Sequence, residues 1–481
     1  MNNILIIGGG NSGYISALML KKSFPNKNIG VIYSQKIGTI GVGESSSEQI
    51  AEFCKYCDIP KLSFIVNTKA TFKRGIYFEN WAKEDFLHSI ETPFAEVNVN
   101  RFLYYQQVVA NERPNHEMQI SWENKVNLDV FEDYDDSPTN QFHFDTQSLN
   151  EYLKHLCTER GIILLEDEIV ECSMDSETGR ILSVSGSQDY PADFFIDCSG
   201  FSRLLVNKKL GVKWKSYSEY LPLNSAIAFS TDEMDEYNIY TKSTARDYGW
   251  SWKIPTQDRT GNGYVFCDRF INEDQAHQEM EKVYGHKIDV AKTFKFDSGR
   301  LEKAWYKNCY AVGLSQSFIE PLEATALGSV VQQMFAFIHC FPSYSEDECN
   351  ELVDGIFDNM FDFVQAHYLT KREDTSFWKE VKYDLKITPS LQKSLDKWKR
   401  RFPQTDDVSC RFGMFYAVNY IPILYGLKWF DRDVIDNESS HLMPVDIVNY
   451  SETHNLSLTI GHKDFIKGVI KSSPLLTPFY H

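Results

Sequence analysis

The sequence predicts an α/β fold with a parallel sheet at its centre and a helical carboxy-terminal part, and three observations carry that reading. Ile4 to Ile7 is a short apolar, β-branched run. Gly8-Gly9-Gly10-Asn11-Ser12-Gly13 follows it, and an apolar helix continues through Ala17, Leu18 and Leu20. Ile29 to Tyr33 supplies a second strand at the distance a Rossmann-like βαβ unit requires. Far downstream, Leu327, Val330, Val331, Met334, Phe335 and Ile338 fall on one helical face that Pro342 closes, so the chain turns helical there.

The elements between follow the same logic. Phe142 to Asp145 reads as a strand feeding a helix through Leu149, Tyr152, Leu153 and Leu156. Gly161 stops that helix, and Ile162 to Leu165 starts another strand. Two hairpins are expected, Asp175 to Asp189 around Glu177-Thr178-Gly179 and Arg259 to Val265 around Gly261-Asn262-Gly263. No repeat or low-complexity linker interrupts the chain. Residues 1–340 therefore read as one composite body with interleaved segments at about 70–140 and 205–300, and 341–481 as a mainly helical cover.

Composition narrows the function. With 481 residues, at roughly 150 per domain, the chain is a large enzyme-sized unit, and 42% apolar with 24% charged residues is ordinary globular usage. A net charge of −18 repels phosphate backbones, so nucleic acid is not an expected partner. No apolar run reaches the roughly 18 residues of a membrane helix, no signal peptide is visible, and the ten scattered cysteines read as reduced. A cytoplasmic protein is the expectation. Cys54 and Cys57 have C-x-x-C spacing but lack a second pair, so no metal site is expected.

Gly8-x-Gly10-x-x-Gly13, with Asn11 and Ser12 between, sits where a strand ends and a helix begins. There glycines permit a tight turn and close approach of a pyrophosphate to free helix N–H groups. The second strand ends Ile32-Tyr33-Ser34 with no acid for a ribose hydroxyl, so Ser34 or a backbone contact is the expected substitute. Phe194-Phe195-Ile196-Asp197-Cys198-Ser199-Gly200 is a buried strand ending in a turn. At its distance from the glycine fingerprint it looks like the second nucleotide contact of FAD-binding proteins rather than part of a simple NAD dehydrogenase.

Four further segments carry a specific resemblance: Trp250-Ser251-Trp252-Lys253-Ile254-Pro255, Phe318-Ile319-Glu320-Pro321-Leu322-Glu323-Ala324-Thr325, Phe72-Lys73-Arg74-Gly75-Ile76 with Asn80-Trp81, and Gly41-Val42-Gly43-Glu44. Together they resemble the flavin-dependent halogenases of the tryptophan-halogenase family, in consistent order from residue 1 to about 340. The resemblance implies an FAD-binding fold of the flavin monooxygenase type, layered β/β/α, with FAD contacts that include Gly43, Glu44, Asp197, Gly200, Gly313 and Leu314. It implies that reduced FAD, delivered by a separate NAD(P)H-dependent reductase, reacts with oxygen and halide to give hypohalous acid. Lys73 would meet that acid at the end of a tunnel, either as an ammonium that polarises the halogen or as an amine that forms a haloamine, and Glu323 would face it. Residues i and i+2 of a strand share a face, so Trp250 and Trp252, closed by Pro255, would form the wall between flavin and an electron-rich aromatic substrate.

Acids are favoured beside Pro321 at a helix start, and the amides of Thr325 and Ala326 would bind halide there. The family usually continues S-T-G after the glutamate where this chain has Ala324-Thr325-Ala326, which bears on the fit of the halide pocket. His88 falls near an aromatic-binding segment and is the one substrate contact suggested. Tyr420 to Gly426 resembles a late helix near the substrate. Val312-Gly313-Leu314-Ser315 lacks the aspartate of aromatic hydroxylases, which places an FAD hydroxylase or a non-catalytic FAD protein behind halogenation. Homo-oligomerisation and the identity of the substrate stay open.

Overall fold

The computed structural model describes residues 2–37, 44–89, 124–127, 140–408, 410–440 and 459–472. Its first layer is a six-stranded sheet in the order Trp305–Tyr306, Cys309–Ala311, Phe194–Asp197, Asn3–Ile7, Asn28–Tyr33, Ile163–Glu166. All neighbours run parallel except the outermost pair at Trp305. The strand Asn3–Ile7 is buried on both faces, as its unbroken apolar run requires. Helix Asn11–Ser23 leaves its carboxyl end, and the long helices Thr146–Glu159 and Thr325–Cys340 pack against that helix. Asp145 caps Thr146–Glu159, accepting the Ser148 N–H at 2.8 Å, and Gly161 ends it in the left-handed region with φ 69°.

A second, mixed sheet of seven strands forms the other β layer. Its order is Val290–Lys295, Ser225–Asp232, Arg259–Phe266, Gly249–Pro255, Tyr240–Arg246, Gly75–Glu79, Phe86–Ser89. A small three-stranded sheet, Glu44–Ser45, Gln141–Phe144, Thr71–Lys73, lies where the chain crosses between the layers. Among the described residues the carboxy-terminal part is helical, with Glu346–Ala366, Ser376–Tyr383, Pro389–Trp398, Ala417–Gly426, Arg432–Ser440 and His462–Ser472. No described helix is long and apolar enough to cross a membrane.

Two expectations change. The hairpin at 175–189 forms, with Glu171–Met174 against Ile181–Ser185 and Gly179 at φ 64°. The one placed at Gly261-Asn262-Gly263 does not, because Arg259–Phe266 is one uninterrupted strand whose turn precedes it at Gln257-Asp258. Those glycines serve packing instead: a Cβ on Gly263 would lie 2.0 Å from Cη2 of Trp252, so the missing side chain makes room for the indole. The helix expected to begin at Pro321 begins at Thr325. Glu323 (φ 66°) and Ala324 (φ 57°) are both left-handed, and no α-helix passes through two such residues. Cys54 and Cys57 are buried in the core, where burial pushes the Cys57 thiol up to about 12.

Candidate active site

The glycine turn is a cradle made of close backbone contacts. Gly8 is at φ 122°, and a Cβ there would lie 2.2 Å from the Cys198 carbonyl oxygen; one on Gly13 would lie 1.9 Å from the Gly8 oxygen. A Cβ on Gly10, by contrast, would meet nothing within 4 Å among the described residues, at the amino end of helix Asn11–Ser23. An anion can therefore approach the helix amides over Gly10 while the flanking glycines hold the turn closed. Asn11 is tied down by its side chain, with Asn150 Nδ2 donating to Oδ1 at 3.0 Å and to the Gly9 carbonyl at 3.0 Å. Ser12 abuts Gly313, where a Cβ would come within 2.4 Å of its Oγ; Gly313 is at φ 65°. The residues present fit a dinucleotide.

Asp197 works differently from the direct contact expected. It is fully buried, and its two oxygens accept from Ser199 N, Ser199 Oγ, Ser315 Oγ, Leu205 N and Val206 N. It holds the Ser199-Gly200 turn, with Gly200 at φ 66° and nothing among the described residues within 4 Å of a Cβ there, next to the turn Gly313-Leu314-Ser315. Ser34 is half-buried just past the second strand, and Lys154 lies over the ring of Tyr33 at 3.9 Å. Glu44 begins the strand that pairs with Phe144, and Gly43 lies outside the described residues.

Lys73 ends the strand Thr71–Lys73 and is 1% exposed. Its Nζ donates to the Ser46 carbonyl at 2.8 Å, and Ser46 is itself fixed by the Phe142 N–H donating to its Oγ at 2.7 Å. Burial pushes the Lys73 ammonium down to about 8, and the nearby Glu323 carboxylate opposes that shift. Glu323 is fully enclosed. His88 Nδ1 donates to its two oxygens at 2.9 and 3.0 Å, and His367 Nε2 donates to Oε1 at 3.0 Å. Burial alone would raise this carboxyl, but the two imidazoles outweigh it and hold it well below the usual carboxylate range.

The histidine protons follow from their partners. His367 Nδ1 faces the Phe363 carbonyl at 2.9 Å while Nε2 faces the carboxylate, so this ring donates on both sides. His88 Nε2 meets Asn419 Nδ2 at 3.5 Å, and Asn419 Oδ1 is occupied by the Tyr416 N–H at 2.7 Å, which leaves His88 an acceptor at Nε2. His88, suggested as a substrate contact, is thus a buried partner of Glu323. It is carried on the edge strand Phe86–Ser89, against which Gly426 of helix Ala417–Gly426 packs so closely that a Cβ would meet Phe86 Cγ at 2.2 Å.

Trp250 and Trp252 share a face of the strand Gly249–Pro255, with ring centroids 6.1 Å apart and planes tilted by 55°. Trp250 Nε1 donates to Glu320 Oε1 at 3.0 Å, as does Tyr368 Oη at 2.6 Å. Burial pushes the Glu320 carboxyl up to about 7 against these two donors. Pro255 ends the strand, and its carbonyl accepts from Thr71 Oγ1 at 2.8 Å, joining the tryptophan strand to the lysine strand. Thr325 is buried and Ala326 exposed at the start of helix Thr325–Cys340, whose first amides meet no side-chain cap. Sequence reasoning missed His367, Glu320, Tyr368 and Ser46. Glu320 stood inside the quoted Phe318–Thr325 segment, but the others carried no motif.

The chain as a whole has known relatives. A family model described as tryptophan halogenase matches residues 3–438. The chain belongs to the tryptophan halogenase family. It is 28% identical over 467 residues to the tryptophan 6-halogenase SttH of Streptomyces toxytricini, covering 88% of this chain and 89% of that one. It is likewise 28% identical over 476 residues to the tryptophan 7-halogenase RebH of Lentzea aerocolonigenes, covering 89% of each. Among solved structures, Tar14, a tryptophan C-6 flavin-dependent halogenase, superposes with a TM-score of 0.86 at 25% identity over 98% of this chain and 100% of that one. A tryptophan halogenase from Shewanella frigidimarina gives 0.87 at 24%, over 98% of each, and shares the fold. As a member of this family the protein is a flavin-dependent halogenase, an enzyme that uses FAD and halide, and its fold is the family's FAD-binding fold. The hydroxylase alternative is not favoured. Halogenases of this kind need a separate flavin reductase and an aromatic substrate.

Proposed function

We propose that this enzyme halogenates an electron-rich indole, with Lys73 delivering the electrophilic halogen and Glu323 stabilising the charge that develops on the ring. The observation that carries this reading is the burial of Lys73 within electrostatic reach of a carboxylate that two histidines keep ionised. Reduced FAD with oxygen supplies the oxidising power that converts halide into an electrophile; Gly8, Gly10, Asn11, Ser12, Gly13, Gly200, Gly313 and Leu314 would hold the cofactor, with Ser34 toward its adenosine end. Thr325 and Ala326 offer amide donors to the halide.

The chemistry of this chain's own groups follows from their environment. The Ser46 carbonyl and the Glu323 charge both favour the ammonium form of Lys73 near neutral pH, which suits hydrogen bonding to hypohalous acid and polarisation of its halogen. Glu323 stays a carboxylate across the working range. It acts as an anion and proton acceptor, not as an acid. Trp250 and Trp252, with Pro255, wall the substrate from the flavin, and Glu320 with Tyr368 fixes the Trp250 indole.

Relatives with this architecture include tryptophan 6- and 7-halogenases and MibH, a lanthipeptide tryptophan 5-halogenase, so both free and peptide-borne indoles belong in the test. The experiment is a panel of tryptophan, substituted indoles, phenols and tryptophan peptides, assayed with added NADH-dependent flavin reductase and with chloride, bromide and iodide separately. A halide-dependent mass gain on indoles supports the proposal. Mass gain by one oxygen, independent of halide, contradicts it.

A further inference from the structure

We propose that His462, which lies beyond the residues the family model matches, is a positioning residue for Lys73 through the backbone of the lysine strand. The inference rests on the assignment of Lys73 made above. The strand Thr71–Lys73 is the edge of its three-stranded sheet, so among the described residues the outward amide of Phe72 has no partner strand. It is nevertheless buried, and a buried amide left unpaired is costly. His462 supplies the acceptor: Phe72 N–H donates to its Nε2 at 3.0 Å. The other ring nitrogen faces the Tyr237 carbonyl at 3.3 Å and donates to it, which fixes the tautomer with Nε2 free to accept. The imidazole is fully buried, 6.0 Å from the ring of Phe72, and burial keeps it neutral.

The anchor does not stand alone. His462 N–H donates to the Asn124 carbonyl at 2.9 Å, and Asn124 Oδ1 accepts the Ile239 N–H at 3.2 Å. The Ile239 carbonyl in turn accepts the Arg74 N–H at 2.6 Å. The carboxy-terminal segment thereby holds the backbone on both sides of Lys73, at Phe72 directly and at Arg74 through two residues. A displacement of about 1 Å at a reacting group is enough to cost on the order of a hundredfold in rate, so this anchor acts on chemistry without touching substrate.

The test compares His462→Gln, His462→Asn and His462→Phe in the full-length enzyme. The Gln amide oxygen reaches the place of Nε2, the Asn oxygen stops near that of Nδ1, and Phe keeps the ring without an acceptor. Product formed per hydrogen peroxide released should fall by about tenfold in His462→Phe and His462→Asn and recover to within about threefold in His462→Gln, with FAD affinity unchanged in all. Equal ratios in all three variants and the wild type would overturn the inference, as would a Gln variant no better than Asn. Should the Phe variant not fold, the Gln and Asn comparison decides. In the wild type, ¹⁵N-histidine NMR should show His462 unprotonated at Nε2, and a proton there also overturns the inference. Failure of the Lys73 assignment itself is distinct, because a Lys73→Met enzyme would then still make product.

Discussion

The dinucleotide cradle and the lysine–glutamate chamber lie in one molecule but are built by opposite means. The cradle is backbone: Gly8, Gly13 and Gly313 are defined by what no side chain can occupy, and two of the three lie within six residues of each other. The chamber is side chains brought from afar, with Lys73 from a small crossing sheet, His88 from the edge of the large sheet, Glu323 from a left-handed turn and His367 from the end of helix Glu346–Ala366. A backbone site tolerates almost no change in shape, whereas a side-chain site tolerates shape changes and responds to charge.

Substitutions that change shape alone should therefore be most severe in the cradle. Gly13→Ala places a methyl 1.9 Å from the Gly8 oxygen and should abolish FAD binding, measured by fluorescence titration, with a stability loss of about 3 kcal/mol. A variant that binds FAD normally would break the comparison. Gly10→Ala sharpens it: its methyl meets nothing within 4 Å among the described residues, so the thermal midpoint should hold while FAD affinity falls, because a bound pyrophosphate would contact it.

In the chamber the expected effects follow charge. Glu323→Gln should lower halogenation by about a hundredfold. It should also destabilise the fold by about 1–3 kcal/mol, since the buried His88 and His367 rings lose a charged hydrogen-bond acceptor. Unchanged stability would show that the histidines do not depend on the carboxylate. Gly263→Ala tests the wall between the two sites. Its methyl would collide with Trp252, and product per hydrogen peroxide should drop by about tenfold while FAD affinity holds. The smallest effect is in the pH profile. With the Lys73 ammonium active and its pKa pushed down to about 8, halogenation should decline as pH rises through about 8; a rate that climbs there instead would favour the neutral amine.

The same contrast explains what the sequence made legible. Gly8-x-Gly10-x-x-Gly13 could be read because a short backbone device leaves all its residues side by side, and so could the strand at Phe194, whose apolar run states its burial on both faces. Lys73 and Glu323 were legible only through resemblance, since a single lysine or glutamate carries no local mark of burial. His367 ends an ordinary amphipathic helix, and its meeting with Glu323 depends on packing between distant segments. The misplaced hairpin at Gly261-Asn262-Gly263 has a related cause: glycines that clear space for a ring look the same in sequence as glycines that turn a chain. Glu323 was misread as part of a helix because paired left-handed residues, neither of them glycine, are rare.

Lys73→Met gives the most direct measurement, because activity and stability should move in opposite directions. Burying an ammonium whose pKa has fallen from lysine's ordinary value to about 8 weakens the fold below that pH by on the order of 3 kcal/mol, and the cost fades as pH rises toward the unfolded lysine's range. A methionine of similar length removes the charge and with it the cost. Under reduced FAD, oxygen and bromide, the Met variant should make no halogenated indole, release hydrogen peroxide as the wild type does without substrate, and melt at a higher temperature at pH 7. Retained halogenation would remove Lys73 from the reaction, and a lower melting temperature would show that its ammonium is not held against a burial penalty.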